Sequence, residues 1–185
     1  MKKYLLAFLL VWCCVVPALA AAARPPSEIL AVAWGDSQAV CRERLKAYGM
    51  RKAVLEDVWA WRGEALPFAQ EVLHCEARLF GEDVSLHLSF FDDRLYAVRI
   101  DGIAREHAGE VRRSLEAAYG RTTMRSGGGA VAMLYWRAGA TDVTFTRVDG
   151  RPDLELLLED GEGAEAVRRA VRPLVEGAGV SGDER

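Results

Sequence analysis

Strict alternation of apolar and polar residues at positions 84–90 is the sequence feature that most constrains the fold. The run reads Val84, Ser85, Leu86, His87, Leu88, Ser89 and Phe90. Successive side chains of a strand point to opposite faces, so the pattern predicts a strand with one buried and one solvated face. Turn residues at 81–83 and 92–94 bracket it. Such short turns predict that the neighbouring strands pair with it in antiparallel fashion.

The rest of the chain predicts further strands and three helices. Strands are expected at 54–61, within 68–80, and at 95–100, 131–136, 143–148 and 154–159. Helical spacing predicts helices from Ser37 to about Tyr48, from Ala104 to Ala118, and over 162–175. We therefore expect one α+β domain over 34–176: an antiparallel sheet, or sheets, with about three helices packed mainly on one face.

The first two predicted helices end in the same three residues. Ala47-Tyr48-Gly49 and Ala118-Tyr119-Gly120 lie about 70 residues apart, and strands follow each of them. This indicates two helix-plus-strands repeats, over 34–101 and 103–160. Coincidence stays open as the alternative, because Ala, Tyr and Gly are all common at helix ends.

The first twenty residues have the pattern of a cleavable export signal. Two lysines precede an apolar run from Tyr4 to Val16, then Pro17 and the small-x-small sequence Ala18-Leu19-Ala20. The run is short for a membrane span, although an uncleaved anchor stays open as the alternative. We expect cleavage after residue 20, a location in the periplasm or outside the cell, no membrane insertion afterwards, an exposed lead-in over 21–33 and a frayed tail over 177–185.

The charge of the mature chain argues against nucleic acid as a partner. The full sequence has a net charge of -3, and removal of Lys2 and Lys3 lowers it to -5. An acidic domain is a poor electrostatic match for phosphate backbones.

Two cysteines, Cys41 and Cys75, lie outside the signal. Cys41 shares a predicted helix face with Leu45, and Cys75 lies on the predicted apolar face of its strand, so packing of that helix on that sheet would bring the sulfurs together. In an oxidising compartment such a pair predicts a disulfide. Two buried free thiols, or a metal-binding pair, are the alternatives.

Candidate binding residues are few. Trp59 and Trp61 alternate on one strand face and are candidates for an exposed patch that contacts a protein or a sugar, with burial in the core as the alternative. His74, His87 and Glu76 lie on predicted polar strand faces and are weak candidates for metal ligands, with a solvated sheet face as the alternative. The sequence predicts no cofactor. Gly127-Gly128-Gly129 leads into a strand, unlike a phosphate-binding loop, and the paired carboxylates lie in turns.

Three segments carry a resemblance to known proteins: Trp34-Gly35-Asp36-Ser37, the two Tyr-Gly helix ends, and Phe90-Phe91-Asp92-Asp93-Arg94-Leu95. With these, the chain resembles small exported bacterial domains of the SmpA/OmlA type and of the β-lactamase-inhibitor-protein-like fold, over most of residues 34–160. The resemblance implies a non-catalytic domain of the cell envelope that binds another protein. A carrier of a small ligand or metal is the alternative, and a hydrolase is a third hypothesis.

Overall fold

The computed structural model describes residues 29–57, 60–61, 64–65, 70–127 and 130–177. Side chains are described over 29–57, 70–127 and 130–173. The predicted signal therefore lies outside the described residues, as does most of the predicted tail.

Ten strands and three α-helices make up this part of the chain. The helices are α1 (Gln38–Leu45), α2 (Ala108–Tyr119) and α3 (Gly161–Gly177), and two single 3₁₀ turns cover Lys46–Tyr48 and Arg105–His107. The strands are β1 (Arg51–Asp57), β2 (Ala60–Trp61), β3 (Glu64–Ala65), β4 (Gln70–Leu79), β5 (Glu82–Phe91), β6 (Arg94–Ala104), β7 (Met124–Ser126), β8 (Val131–Ala138), β9 (Thr141–Val148) and β10 (Asp153–Asp160). The predicted α+β class, with an antiparallel sheet, is confirmed.

Eight of the strands form one antiparallel sheet in the order β1-β4-β5-β6-β10-β9-β8-β7. The first four strands follow α1 and the other four follow α2, and β6 pairs with β10 at the centre. We call residues 29–104 the N-terminal half and 105–160 the C-terminal half. Their strand order and directions are those of two units related by a two-fold axis between β6 and β10. Duplication of the sequence itself stays a prediction.

Two-residue turns set the register of the central strands. Phe80 and Gly81 join β4 to β5, and Asp92 and Asp93 join β5 to β6, all four with positive φ. Positive φ at both turn residues is the geometry of the type I′ turn, whose twist matches that of antiparallel strands. The tight turns hold β4, β5 and β6 in a register that gives each strand one buried face.

The main core lies between this sheet and two of the helices. Cys41 and Leu45 of α1 and Val111 and Leu115 of α2 are buried against the apolar side of the strands. We call that side of the sheet the inner face and the opposite side the outer face. Each fully buried leucine stabilises the fold by about 1.5–3 kcal/mol relative to an exposed one.

The third helix lies on the outer face. A Cβ added to Gly163 of α3 would lie only 2.5 Å from the Tyr96 Cβ, so the helix crosses very close to β6. Tyr96 is the extra residue of a bulge in β6, and its hydroxyl accepts a hydrogen bond from Gln70 on the outer side of β4. Two helices thus pack on one face and one on the other. Pro173 lies inside α3, which continues to Gly177, two residues beyond the predicted end.

The prediction that residues 21–33 form an exposed lead-in is wrong for the part that the structure describes. Leu30 and Val32 are fully buried in the core. Trp34 follows them, and its indole Nε1 donates to Thr141 Oγ1 over 2.9 Å in the C-terminal half. Leu30 and Val32 are therefore part of the domain core.

Candidate functional sites on the outer face

Strand pairing places one row of side chains across the whole outer face. Opposed residues of an antiparallel pair share a face, and the row follows from seven successive pairings. It contains Val54, His74, His87, Arg99, Leu157, Thr144, Tyr135 and Met124. The row begins and ends on the two edge strands, and it carries the two histidines side by side.

His74 and His87 join two carboxylates in a continuous chain of contacts. His74 Nδ1 lies 2.6 Å from His87 Nδ1, and the ring centroids are 4.8 Å apart. His74 Nε2 lies 3.1 Å from Glu56 Oε2, and His87 Nε2 lies 3.0 Å from Asp101 Oδ2. We call Glu56, His74, His87 and Asp101 the histidine cluster. Because the four residues come from β1, β4, β5 and β6, the cluster links the four strands of the N-terminal half.

The electrostatic environment of the cluster favours a neutral His87. Partial burial lowers the pKa of its imidazole, and the nearby positive charge of Arg99 lowers it further. Arg99 Nε in turn donates to Asp101 Oδ2 over 3.0 Å. The side chains of His74 and His87 are 33% and 22% exposed, so solvent reaches both rings.

The structure separates the three residues that the sequence offered as metal ligands. His74 and His87 are adjacent, whereas Glu76 forms an ion pair with Lys52, with 2.7 Å between Glu76 Oε1 and Lys52 Nζ. Glu56 and Asp101 contact the histidines instead. The sequence missed Glu56 because a bulge between Arg51 and Val54 sets the register of β1. It missed Asp101 because β6 continues to Ala104, four residues beyond the predicted strand end.

The two tryptophans offered as binding residues cannot be placed on a surface. Trp59 lies outside the described residues, and Trp61 is described only as backbone in β2. Their role stays a prediction. Among the other tryptophans, Trp136 is fully buried in the core.

Both cysteines are buried in the main core, and the structure leaves their thiols unbonded. Burial raises the pKa of Cys41 to about 12 and that of Cys75 to about 11. Thiols with such pKa values stay protonated and are poor nucleophiles and metal ligands. The disulfide between them stays a prediction.

Apolar side chains concentrate at the C-terminal edge of the outer face. Three of the five large apolar side chains that are exposed in the described residues lie on β7 and β8: Met124, Val131 and Met133, with exposures of 55%, 41% and 38%. Val131, Met133 and Tyr135 alternate along β8, and Met124 is paired with Tyr135. They therefore share the outer face, and we call Met124, Val131 and Met133 the edge patch.

The surroundings of the edge patch are basic. Residues 121–137 contain three arginines and no acidic residue, within a chain of net charge -3. Arg137 is paired with Asp142, and their Nε and Oδ1 atoms are 2.7 Å apart. Arg121 and Arg125, on either side of Met124 in the chain, are exposed and have no ion pair with any described residue. Unpaired positive charge next to exposed methionine distinguishes this edge from the rest of the sheet.

Comparison of the chain with protein-family models, with curated proteins and with solved structures finds no match. Within the described ranges, no group of three or more His, Cys, Asp or Glu is placed to hold a metal ion. No helix of those ranges is both long and apolar enough to cross a membrane. One open pocket of about 680 Å³ separates α3 from the β8–β9 hairpin, and its lining is polar, including Arg137, Asp142, Glu165 and Arg168.

Proposed function

We propose that the protein is a non-catalytic binding module of the cell envelope and that the edge formed by β7 and β8 binds another protein. The edge patch is the observation that carries the proposal. Protein-binding surfaces combine exposed apolar side chains such as Met with Arg and with free hydrogen-bonding groups. The concentration of exposed apolar residues at a single edge fits such a surface.

The backbone of β7 supports the same role. β7 is the last strand of the sheet, it is three residues long, and all three residues are exposed. Among the described strands only β8 pairs with it. An edge strand offers unpaired N–H and C=O groups, and an extended peptide can add to it as a further strand.

The charge of this edge supports one kind of partner. Arg121 and Arg125 favour a segment with acidic side chains, whereas Met124 and Met133 favour apolar ones. The partner we propose is therefore an extended segment of another envelope protein in which acidic and apolar residues alternate. Alternation would place the apolar side chains on the outer face, next to the edge patch.

Export belongs to the proposal and rests on the sequence of residues 1–20. The basic start, apolar run and small residues support cleavage and release into the periplasm or medium. The resemblance to exported protein-binding domains agrees with this role and stays a prediction.

Site-specific photocrosslinking in the producing cell tests the function. We expect a photoreactive amino acid at Ser126 to crosslink the partner, and the same group at Arg113, exposed on α2, to give no adduct. Mass spectrometry should place the crosslink in an acidic, apolar segment of the partner. A synthetic peptide of that segment should bind the purified protein.

Substitutions that introduce charge inside and outside the edge patch make the test specific. Met124→Glu combined with Met133→Glu should remove the adduct, since it places two negative charges in the edge patch. Val40→Glu changes an exposed apolar residue on α1 and should leave the adduct intact. Adducts with a second copy of this chain alone, equal adducts from Arg113, or no adduct from Ser126 would each refute the proposal.

A further inference from the structure

The gap between the two imidazole rings of the histidine cluster has the chemistry of an ion-binding site. We infer that His74 and His87 bind a single divalent transition-metal ion through their Nδ1 atoms, and that Zn²⁺, Ni²⁺ and Cu²⁺, which favour imidazole, are the class of ion that fits. This site is separate from the edge patch, and it does not depend on the function proposed there.

The contacts of the cluster leave Nδ1 as the nitrogen of each ring that faces the gap. Three contacts link the cluster: Glu56 to His74, His74 to His87, and His87 to Asp101. A carboxylate only accepts hydrogen bonds, so each Nε2 must carry a proton. The two Nδ1 atoms lie 2.6 Å apart across the gap. A metal ion bound there would be held by both of them.

The carboxylates hold both rings in the orientation that a metal requires. Metal-binding histidines commonly donate their second ring N–H to a carboxylate, which fixes the tautomer and directs the other nitrogen at the ion. Glu56 does this for His74 and Asp101 does it for His87. Both Nδ1 atoms thereby face the gap between the two rings.

The distances need only a small change. Two nitrogens at about 2.0–2.1 Å from a tetrahedral ion lie about 3.3 Å apart. The Nδ1 atoms are now 2.6 Å apart, so the distance between them has to grow by about 0.7 Å, which is about 0.35 Å for each ring. Both side chains are partly exposed, which leaves room for that rotation and for water at the remaining coordination positions. Water must complete the site, because no third His, Cys, Asp or Glu of the described residues is placed to join it.

Charged side chains of both signs surround the two imidazoles. Glu56 and Asp101 contribute two negative charges, and Arg99, which is bonded to Asp101, contributes one positive charge. The carboxylates therefore outnumber the guanidinium around the pair of rings. The buried thiols of Cys41 and Cys75 do not compete for the ion, because they stay protonated in the core.

Calorimetric titration of the full chain with Zn²⁺ tests the inference. The protein is purified without a polyhistidine tag and stripped with a chelator, and its folding is checked by circular dichroism. We expect saturable binding of one ion per chain. His74→Gln and His87→Gln should each weaken binding by at least about tenfold, and Asp101→Asn by about tenfold or more, as loss of an orienting carboxylate does. Nitrogen chemical shifts of both histidines should identify Nδ1 as the ligand.

A third histidine provides the matched control. His107 also contacts carboxylates, with 2.8 Å from its Nε2 to Glu82 Oε1, but no second imidazole faces it. His107→Gln should leave Zn²⁺ binding unchanged. The inference is overturned if the wild-type protein shows no saturable binding, or if His74→Gln and His87→Gln bind as well as His107→Gln does. Should one glutamine variant fail to fold, the other gives the same decision.

Discussion

The two halves of the sheet share a strand order and differ in the chemistry of their outer faces. At positions related by the two-fold arrangement, the N-terminal half carries Val54, His74, His87 and Arg99, and the C-terminal half carries Met124, Tyr135, Thr144 and Leu157. The two edge residues, Val54 and Met124, are both apolar and both 55% exposed. The three outer-face positions between the edge and the centre of the sheet carry different residues in the two halves.

This contrast separates what the fold requires from what it leaves free. A similar architecture does not require two adjacent histidines, since Tyr135 and Thr144 occupy the same places in the other half. The inner face is different, because both halves fill it with apolar residues such as Leu88 and Val143. The outer face therefore carries the residues most informative about function.

The comparison predicts first that the two halves unfold together. Leu45 of α1 and Leu115 of α2 are both fully buried. Leu45→Ala and Leu115→Ala should each lower the free energy of unfolding by about 2–5 kcal/mol, because each leaves a cavity in one continuous core. Urea denaturation should show a single transition for both variants. Separate transitions, or a loss confined to one half in hydrogen exchange, would show that the halves are independent.

A disulfide would stabilise only the N-terminal half directly. If Cys41 and Cys75 form the predicted bond in the exported protein, a reductant should lower the free energy of unfolding by about 3–4 kcal/mol, since the bond closes a long loop in the unfolded chain. Urea denaturation with and without reductant measures the effect. A Cys41→Ala, Cys75→Ala variant should not respond to reductant. Equal stability in both conditions, with both thiols alkylated only after denaturation, would show two free buried thiols.

The third helix has no counterpart in the N-terminal half, and its packing against β6 depends on a glycine. Gly163→Ala should lower the free energy of unfolding by about 1–3 kcal/mol, because the new methyl group would overlap Tyr96. Gly109→Ala is the matched control near the start of α2, where the nearest atom is the flexible end of Arg113 at 3.6 Å. That change should be neutral or stabilising by up to about 1 kcal/mol. Equal effects of the two changes would mean that α3 is not held against β6.

Local patterns predicted the elements, and long-range register decided the site. The alternation at 84–90 and the turns beside it were enough to predict β5 and its antiparallel neighbours, since each depends on a few adjacent residues. The contact between His74 and His87 follows from the same hairpin. Glu56 and Asp101 could not be found in this way, because a bulge in β1 and the full length of β6 set their positions. The placement of α3 on the outer face depends on close approach at Gly163, which periodicity does not reveal.

The edge patch could not be predicted from the sequence either. The sequence predicts no strand at the position of β7, because Thr122 to Gly129 is rich in glycine and polar residues. Without β7, Met124 and Met133 have no common surface. Pairing of β7 with β8 brings them to one face, so the edge patch appears only in the folded chain.

The smallest expected effect is a difference in the pH range over which titrating groups of the two halves contribute to the stability of the whole domain. The pKa of His87 is lowered in the fold, chiefly by burial, so the unfolded chain binds more protons as pH falls below its ordinary value of about 6.5. Stability contributed by the N-terminal half should therefore decline from that pH downward. The pKa of Asp142 is also lowered, chiefly by its hydrogen bond from Arg137. Its contribution is present above the ordinary carboxyl pKa and should decline only from about pH 4 downward.

Two variants assign these ranges to their halves. Unfolding is measured between pH 3 and 8 in the presence of a chelator, so that bound metal does not contribute. His87→Thr installs the residue found at the equivalent place in the C-terminal half, and it should flatten the decline near pH 6 while leaving the one near pH 4. Asp142→Asn should do the reverse. If His87→Thr instead leaves the profile near pH 6 unchanged, then His87 titrates alike in the folded and unfolded chain, and the cluster is freely solvated rather than held by its contacts with His74 and Asp101.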